Sequence, residues 1–462
     1  MRADAKGATL PRRTAATPGG FGTMSRDSGA RRNARGLRRV VIVGGGFGGL
    51  EAAKALARAP VEVTLIDRQN HHCFQPLLYQ VATAALSPAD IAWPIRGILG
   101  RQANVRVVMA EVLGVEPERQ RVRTTVGEFP FDDLVLATGA THAYFGHDEW
   151  SANAPGLKRI EDATEIRRRI LTAFERAETA QDETSRRALT TFAVIGGGPT
   201  GVEMAGAIAD VARHALSRDF RNIDPAQARV MLIEAGPRIL PTFPEDLSRY
   251  ATKALGRIGV EVRTGAPVTE IDETSVVVGQ DRVGVGAVVW AAGVRPSPAA
   301  RWLDAPSDRA GRILVEPDLT VPGRSDIFAI GDTAAVTDVS GRPVPGIAPA
   351  AKQMGRYVGE TIAGKARGRS APAPFAYRHH GDLATLGRKA AIVKLGGLTL
   401  TGFTAWVFWS VAHIYFLIGI RNRIAVAFSW AWDYATFGRR ARLITEPAPR
   451  PQQIVRTPQP AE

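Results

Sequence analysis

The chain has 462 residues, 45% of them hydrophobic, and a formal net charge of +14 at pH 7. That length suits two or three globular domains, each able to bury a core, and the mostly arginine charge points to a phosphorylated cofactor, a membrane surface or a nucleic acid. The single cysteine, Cys73, excludes an intramolecular disulfide, a Cys-x-x-Cys redox pair and a cysteine-rich metal centre, and fits a reducing compartment.

Residues 1–36 are rich in Arg, Ala, Gly, Ser and Thr and lack an apolar stretch long enough for a signal-peptide core, so they read as a disordered basic leader. An apolar strand, Val40 to Val43, then runs into Gly44-x-Gly46-x-x-Gly49, followed by a helical segment and a second strand, "VEVTLID", ending in Asp67. Each glycine has a physical reason: a tight turn, close approach of the backbone to a pyrophosphate, and close packing of helix on strand. The helix N-terminus then offers free N–H groups to an anion, and Asp67 is placed for ribose hydroxyls.

"FDDLVLATGA" (131–140) reads as a return strand that closes this unit, with Thr138 and Gly139 at its end. A second copy of the turn, Gly196-x-Gly198-x-x-Gly201, follows the strand "FAVI" and opens the helix "VEMAGAIADVARHAL". The strand "ARVMLIE" then ends in Glu234, and "GAVVWAAGV" (286–294), which carries Gly293, is the matching return strand. One such turn is weak evidence of a dinucleotide site, whereas two in the same context of strand, helix and acid-ended strand are specific. "SDIFAIGDTAAV" (325–336) is a further strand, ending in Gly331-Asp332.

The pairs His71/His72 and His379/His380 lack a third ligand at metal spacing, so no metal site is expected. Leu398 to Ile420 contains no acid, lysine or arginine, and would reach about 34 Å as one helix, enough to span a bilayer. Its dense part, Ala405 to Ile420, is short for a span at about 24 Å. The following segment mixes Arg421, Arg423, Asp433, Arg439, Arg440 and Arg442 with aromatic residues, which suits helices lying in an anionic membrane interface. Residues 446–462 form a Pro/Gln-rich disordered tail, and no nucleic-acid motif accompanies the basic residues.

The paired turns and the Gly331-Asp332 strand resemble the two-dinucleotide-binding-domain flavoproteins of the disulfide reductase superfamily, over roughly residues 37–365. The resemblance implies an α/β chain of two Rossmann-like domains, the second inserted in the first. It gives an FAD domain of 37–150 and 300–345, an NADH domain of 151–299, a flavin- and quinone-facing helix with a C-terminal domain over 346–395, and amphipathic membrane-anchoring helices over 396–445. FAD would lie on Gly44, Gly46, Gly49, Asp67, Thr138, Gly139, Gly331 and Asp332, and NADH on Gly196, Gly198, Gly201, Glu234 and Gly293. A carboxylate about 4 Å from a 2'-phosphate costs roughly 4 kcal/mol at an effective dielectric near 20, so Glu234 favours NADH over NADPH, with Arg238 near enough in sequence to blunt the preference.

"NHHCFQPLLYQVATAALSPADIAWPIR" (70–96) narrows the resemblance to the type II NADH:quinone oxidoreductases, which carry an H-x-F-x-P-L-L-x-x-V-A-T pattern here. Within "VPGIAPAAKQMGRYVGETIAG" (344–364), Gln353 matches a glutamine that this family places at its quinone site, although Ala348-Pro349 stands where many members have Ala-Gln. Glu203 matches a family glutamate proposed to assist proton delivery. "W-x-x-W-x-x-x-H" followed by "R-N-R" resembles the family's monotopic anchor. The implied protein is an FAD-containing NADH dehydrogenase on the cytoplasmic face of the cell membrane, a homodimer that reduces membrane quinone without pumping protons. The alternatives are a soluble NADH peroxidase or oxidase using Cys73, and a membrane-anchored flavin redox sensor.

Overall fold

Apolar runs bounded by glycine become the parallel strands of the protein, as seen in a computed structural model that describes residues 36–217, 219–339, 341–370, 372–436 and 442–445. The leader before residue 36, Arg439, Arg440 and the tail 446–462 lie outside the described residues. From Arg38 onward the chain forms one unit.

Strand β1 (Arg38–Val43), helix α1 (Phe47–Ala55), β2 (Val61–Asp67), β3 (Val105–Met109) and β4 (Asp133–Leu136) open the first unit. The second unit runs through β5 (Thr191–Ile195), α2 (Pro199–Asp210), β6 (Arg229–Glu234), β7 (Val260–Thr264) and β8 (Ala287–Trp290). The chain then returns with β9 (Thr320–Val321) and β10 (Arg324–Ala329). The first sheet has the order β9-β10-β4-β1-β2-β3, and the second β7-β6-β5-β8, so the second dinucleotide-binding fold is inserted in the first. All these pairings are parallel except β9 with β10. Strands such as "DLVL" and "TFAVI" are apolar without alternation because both of their faces are buried, the usual state of a parallel sheet.

In each sheet the first strand has its second strand on one side and its return strand on the other. That reversal opens a crevice at the carboxyl ends of β1 and β4, and another at β5 and β8, where ligands bind in open α/β sheets. Both crevices hold a glycine turn.

Helix α3 (Ala348–Ala366) lies along α1, and glycine makes the approach possible. A Cβ on Gly355 would overlap the Gly48 carbonyl, and one on Gly359 would come within 2.8 Å of the Ala52 carbonyl oxygen. The antiparallel strands β11 (Asp382–Thr385), β12 (Ala391–Leu395) and β13 (Leu398–Thr401) follow, then helices α4 (Gly402–Phe416) and α5 (Ile420–Thr436).

The uncharged run 398–420 is therefore divided between a strand, a helix and a break. Gly419 sits in the break with φ +82°. Helix α4 is about 22 Å long, below the roughly 30 Å of a hydrocarbon core. Among the described residues no helix is long and apolar enough to cross a membrane.

Candidate functional site

The two glycine turns have the same local construction. Gly44 (φ +106°) and Gly196 (φ +111°) adopt a backbone conformation that a side chain would strain, and a Cβ on Gly49 or Gly201 would overlap the carbonyl of Gly44 or Gly196. The acids ending β2 and β6 brace these turns. Asp67 accepts from the Gly45 N–H at 2.5 Å and the Gln69 N–H at 2.7 Å, and Glu234 accepts from the Gly197 N–H at 2.6 Å and the Gly236 N–H at 2.7 Å. Each carboxylate oxygen keeps a further lone pair for a ribose hydroxyl. Burial pushes the Asp67 carboxyl above its usual range, against the lowering effect of those amides.

Gly46 and Gly198, each at the N-cap of its helix, face open space: a Cβ there would meet nothing within 4 Å. Both cradles leave backbone amides free at a helix N-terminus, the arrangement that holds a pyrophosphate. Beside the first cradle, buried His72 bonds the Gly45 carbonyl through Nδ1 at 2.9 Å, while its Nε2 has no partner among the described residues. Desolvation keeps this ring neutral, lowering its pKa to about 4.

A hydroxyl knot joins the return strand of the first unit to the late aspartate turn. Thr138 Oγ1 lies 2.5 Å from Ser297 Oγ and 3.0 Å from Thr333 Oγ1, and the Gly139 N–H donates to Thr333 Oγ1 at 2.9 Å. The Gly331 N–H points to Met354 Sδ at 3.1 Å, and Asp332 lies 3.7 Å from Lys158 Nζ. Around the second unit, a Cβ on Gly293 would overlap the Phe145 ring. The Arg238 guanidinium donates to the carbonyls of Leu240, Pro241 and Phe243, which ties it to a loop.

Glu203 is the fifth residue of α2, beyond the first turn where a helix dipole alone would favour an acid. It stands in the wall of a cleft of about 810 Å³, measured with its open mouth. The cleft runs between α2, the short helix Leu78–Ala82 and the C-terminal helices, with Trp406, Trp409, Trp430 and Tyr434 on its far side. The aromatic wall is bolted to the short helix Leu78–Ala82: Trp430 Nε1–H donates to Gln80 Oε1 at 2.7 Å, and Trp430 stacks on Trp409 at 5.5 Å. Glu203 Oε1 accepts a long bond from the Thr385 N–H, at 3.3 Å. Desolvation raises its pKa to about 8, although the Thr385 amide and the Trp409 indole favour the charged form. The Trp409 indole N–H makes no hydrogen bond of ordinary geometry among the described residues.

Gln353 is not brought to this cleft. Its amide donates to the Arg378 carbonyl at 2.9 Å and accepts from the Arg378 N–H at 3.0 Å, fastening that segment to α3. Cys73 lies in a short strand paired with Ala92–Pro94, and burial pushes its thiol up to about 12. A thiol held this far above its ordinary value stays protonated at neutral pH, whereas a peroxidase works through the thiolate. Sequence reasoning missed Gln80, Trp409 and Trp430 as cleft residues; the spacing of the two tryptophans pointed to the membrane, and no signal marked Gln80.

Residues 38–355 match the family profile described as pyridine nucleotide-disulphide oxidoreductase, and residues 379–440 match the NDH2 C-terminal domain. The chain is 43% identical over 439 residues to the type II NADH:quinone oxidoreductase NdhA of Mycobacterium tuberculosis, covering 91% of this chain and 92% of that one. The chain belongs to the type II NADH:quinone oxidoreductase family.

A more distant relative of the family protein is the mitochondrial internal alternative NAD(P)H-ubiquinone oxidoreductase A1 of Arabidopsis thaliana, 32% identical over 87% of this chain and 84% of that one. In fold, the chain matches the NDH2 of Plasmodium falciparum solved with NADH, with a TM-score of 0.80 at 20% identity over 88% of this chain and all of that one. The sulfide:quinone oxidoreductase of Aquifex aeolicus shares the fold at a TM-score of 0.67 and 18% identity, over 86% of this chain and 95% of that one. Type II NADH:quinone oxidoreductases are peripheral membrane flavoenzymes that use FAD and NADH, and the geometry of both cradles fits those two dinucleotides. Family membership sets aside the Cys73 peroxidase alternative, in accord with the buried thiol.

Proposed function

We propose that quinone is reduced in the aromatic cleft beside Glu203, with FAD held on the first glycine turn and NADH docking on the second. When bound, FAD supplies the two-electron relay between NADH and quinone. The observation that carries this reading is the position of Glu203: it stands on the helix that begins at the NADH cradle, yet it lines the cleft walled by the C-terminal helices. A carboxyl with a pKa of about 8 is protonated at neutral pH and suited to hand a proton to a reduced quinone oxygen. Asp67 and Glu234 hold the two turns and offer their remaining lone pairs to ribose. Thr138, Gly139, Gly331 and Asp332 close the FAD crevice, while Gly293 lets Phe145 cover the NADH crevice. Gln353 acts by positioning the Arg378 segment.

The protein sits on the cytoplasmic face of the membrane, held by α4 and α5. Val411, Tyr415, Phe416, Ile420, Ile424 and Phe428 are each more than half exposed, and the arginines Arg421 and Arg423 lie among them. Such a surface buries its apolar side chains in lipid and sets its guanidinium groups among anionic head groups. Replacing Glu203 by Gln tests the chemical part: NADH oxidation with a short-chain quinone should fall about a hundredfold while the protein keeps its FAD. An unchanged rate would remove Glu203 from the reaction.

A further inference from the structure

Oxidation of NADH by a quinone consumes one proton from the medium: NADH + Q + H⁺ gives NAD⁺ + QH₂. If Glu203 delivers a proton, as proposed above, it must be recharged, and its carboxyl stands part-buried in the cleft wall. Its own helix supplies a route. Residues 203, 207, 210 and 214 follow one another at intervals of four, three and four, and all four line the same cleft. Ala207 contributes only a methyl group between the acids, leaving room for water. Asp210 is two turns beyond Glu203, about 10 Å along the axis. His214 is one turn further, in the π-helical segment Val211–Ala215, a distortion often found at functional sites. Its Nδ1 lies 3.8 Å from Asp210 Oδ1. The Asp210 side chain is 11% and the His214 side chain 44% accessible, so the line meets solvent at His214.

We propose that His214 and Asp210 conduct protons from solvent to Glu203 along the cleft, with water bridging the two carboxyls. His214 takes a proton from the medium at its exposed end and releases one to Asp210. Asp210 passes one through water to Glu203, and Glu203 gives one to the quinone oxygen. Each transfer moves a proton and no electron, and the line is reset after one turnover. Histidine is the side chain suited to such exchange near neutral pH.

Among the described residues, the other ionisable groups at the cleft are Tyr79 on the short helix, Arg388 after β11, and Asp433 and Tyr434 on α5. Arg388 is engaged by Tyr434, through its carbonyl and over its ring at 4.9 Å. At the outer end Arg442 donates to the Ala215 carbonyl and pairs with Asp219.

The proposal rests on the Glu203 reading, and the two are separable by experiment. Full-length, FAD-loaded protein in detergent is mixed rapidly with NADH and then with a short-chain quinone, across the neutral to alkaline range, in H₂O and D₂O. Asp210→Asn should slow electron transfer to quinone about tenfold and enlarge its solvent isotope effect, without slowing flavin reduction by NADH. His214→Ala should slow the same step several-fold, about three- to fivefold, more at alkaline pH, and added imidazole should restore it. Should Asp210→Asn lose its FAD, the imidazole rescue of the more exposed His214→Ala decides alone. If both variants keep the wild-type rate, pH profile and isotope effect while Glu203→Gln is slow, the inlet lies elsewhere and the Glu203 reading stands. If Glu203→Gln itself is as fast as wild type, both readings fail.

Discussion

The two glycine turns are nearly superimposable in their local chemistry and differ in what covers them. Over the first, α3 lies along α1 at glycine-to-glycine distance, and the hydroxyl knot of Thr138, Ser297 and Thr333 ties the return strand to the late aspartate turn. Among the described residues, no helix lies along α2 of the second at such a distance. Its Gly206 meets the backbone at Leu386 and Gly387, and the rest of that face, with Glu203, opens on the cleft. The turn fixes that a dinucleotide binds; the cover fixes whether it stays. A clamped first site suits a resident flavin, and an open second site suits a donor that leaves after every turnover.

Substituting the third glycine of each turn should break this comparison most visibly. Gly49→Val forces a side chain onto the Gly44 carbonyl beneath the clamped helix, and the protein should emerge from gel filtration without FAD absorbance. Gly201→Val makes the same overlap at the second turn, and should retain FAD but require about a hundredfold more NADH to reduce it.

The acid of the second turn offers a smaller and more selective test. Since Arg238 donates to loop carbonyls, Glu234→Gln should improve the use of NADPH relative to NADH by about ten- to a hundredfold, below the thousandfold that about 4 kcal/mol of repulsion sets as a ceiling. An unchanged cofactor ratio would mean that Glu234 braces the turn and does nothing else.

Stability against pH distinguishes the cleft from the cradles. The Glu203 carboxyl titrates near 8 when folded, against an ordinary value of 4.5. Between those values the folded chain holds a proton that the unfolded chain has lost. The resulting stabilisation is complete below 4.5 and is lost as pH rises through 8. Glu203→Gln, neutral at every pH, should therefore melt close to wild type at mildly acid pH. Above pH 8 it should be more stable by up to about 4 kcal/mol, read by thermal unfolding of both proteins across that range. The smallest effect belongs to Cys73→Ala, which removes one buried sulfur and should leave quinone turnover within about twofold of wild type while lowering stability by about 1 kcal/mol.

Much of this architecture is legible in the sequence because its causes are local. A positive-φ glycine, a helix that must start close to a strand, and strands buried on both faces each leave a short pattern, so β1, β2, β5 and β6 and their acids can be found by reading alone. The cleft cannot, because it is made by distant partners. Gln80 meets Trp430 across 350 residues, and nothing near either residue announces the other. The run from Leu398 to Phe416 is apolar on every side, so periodicity assigns it no inward face; Trp409 is 2% exposed in the cleft wall and Val411, two residues on, is 63% exposed. The break that separates α4 from α5 is written only as Gly419. Gln353 shows the converse: a motif match implies a role in quinone contact, and only the fold reveals that both ends of its amide bond the Arg378 backbone.

If quinone is reduced in the cleft beside Glu203, filling the cleft should stop the reaction. Ala207 lies on its wall one turn beyond Glu203, and Ala207→Phe places a ring in that space. In rapid mixing, this variant should be reduced by NADH at the wild-type rate, with its full complement of FAD, and then fail to pass electrons to a short-chain quinone. Reoxidation by quinone at the wild-type rate, with the ring in place, would contradict the account and put the quinone elsewhere.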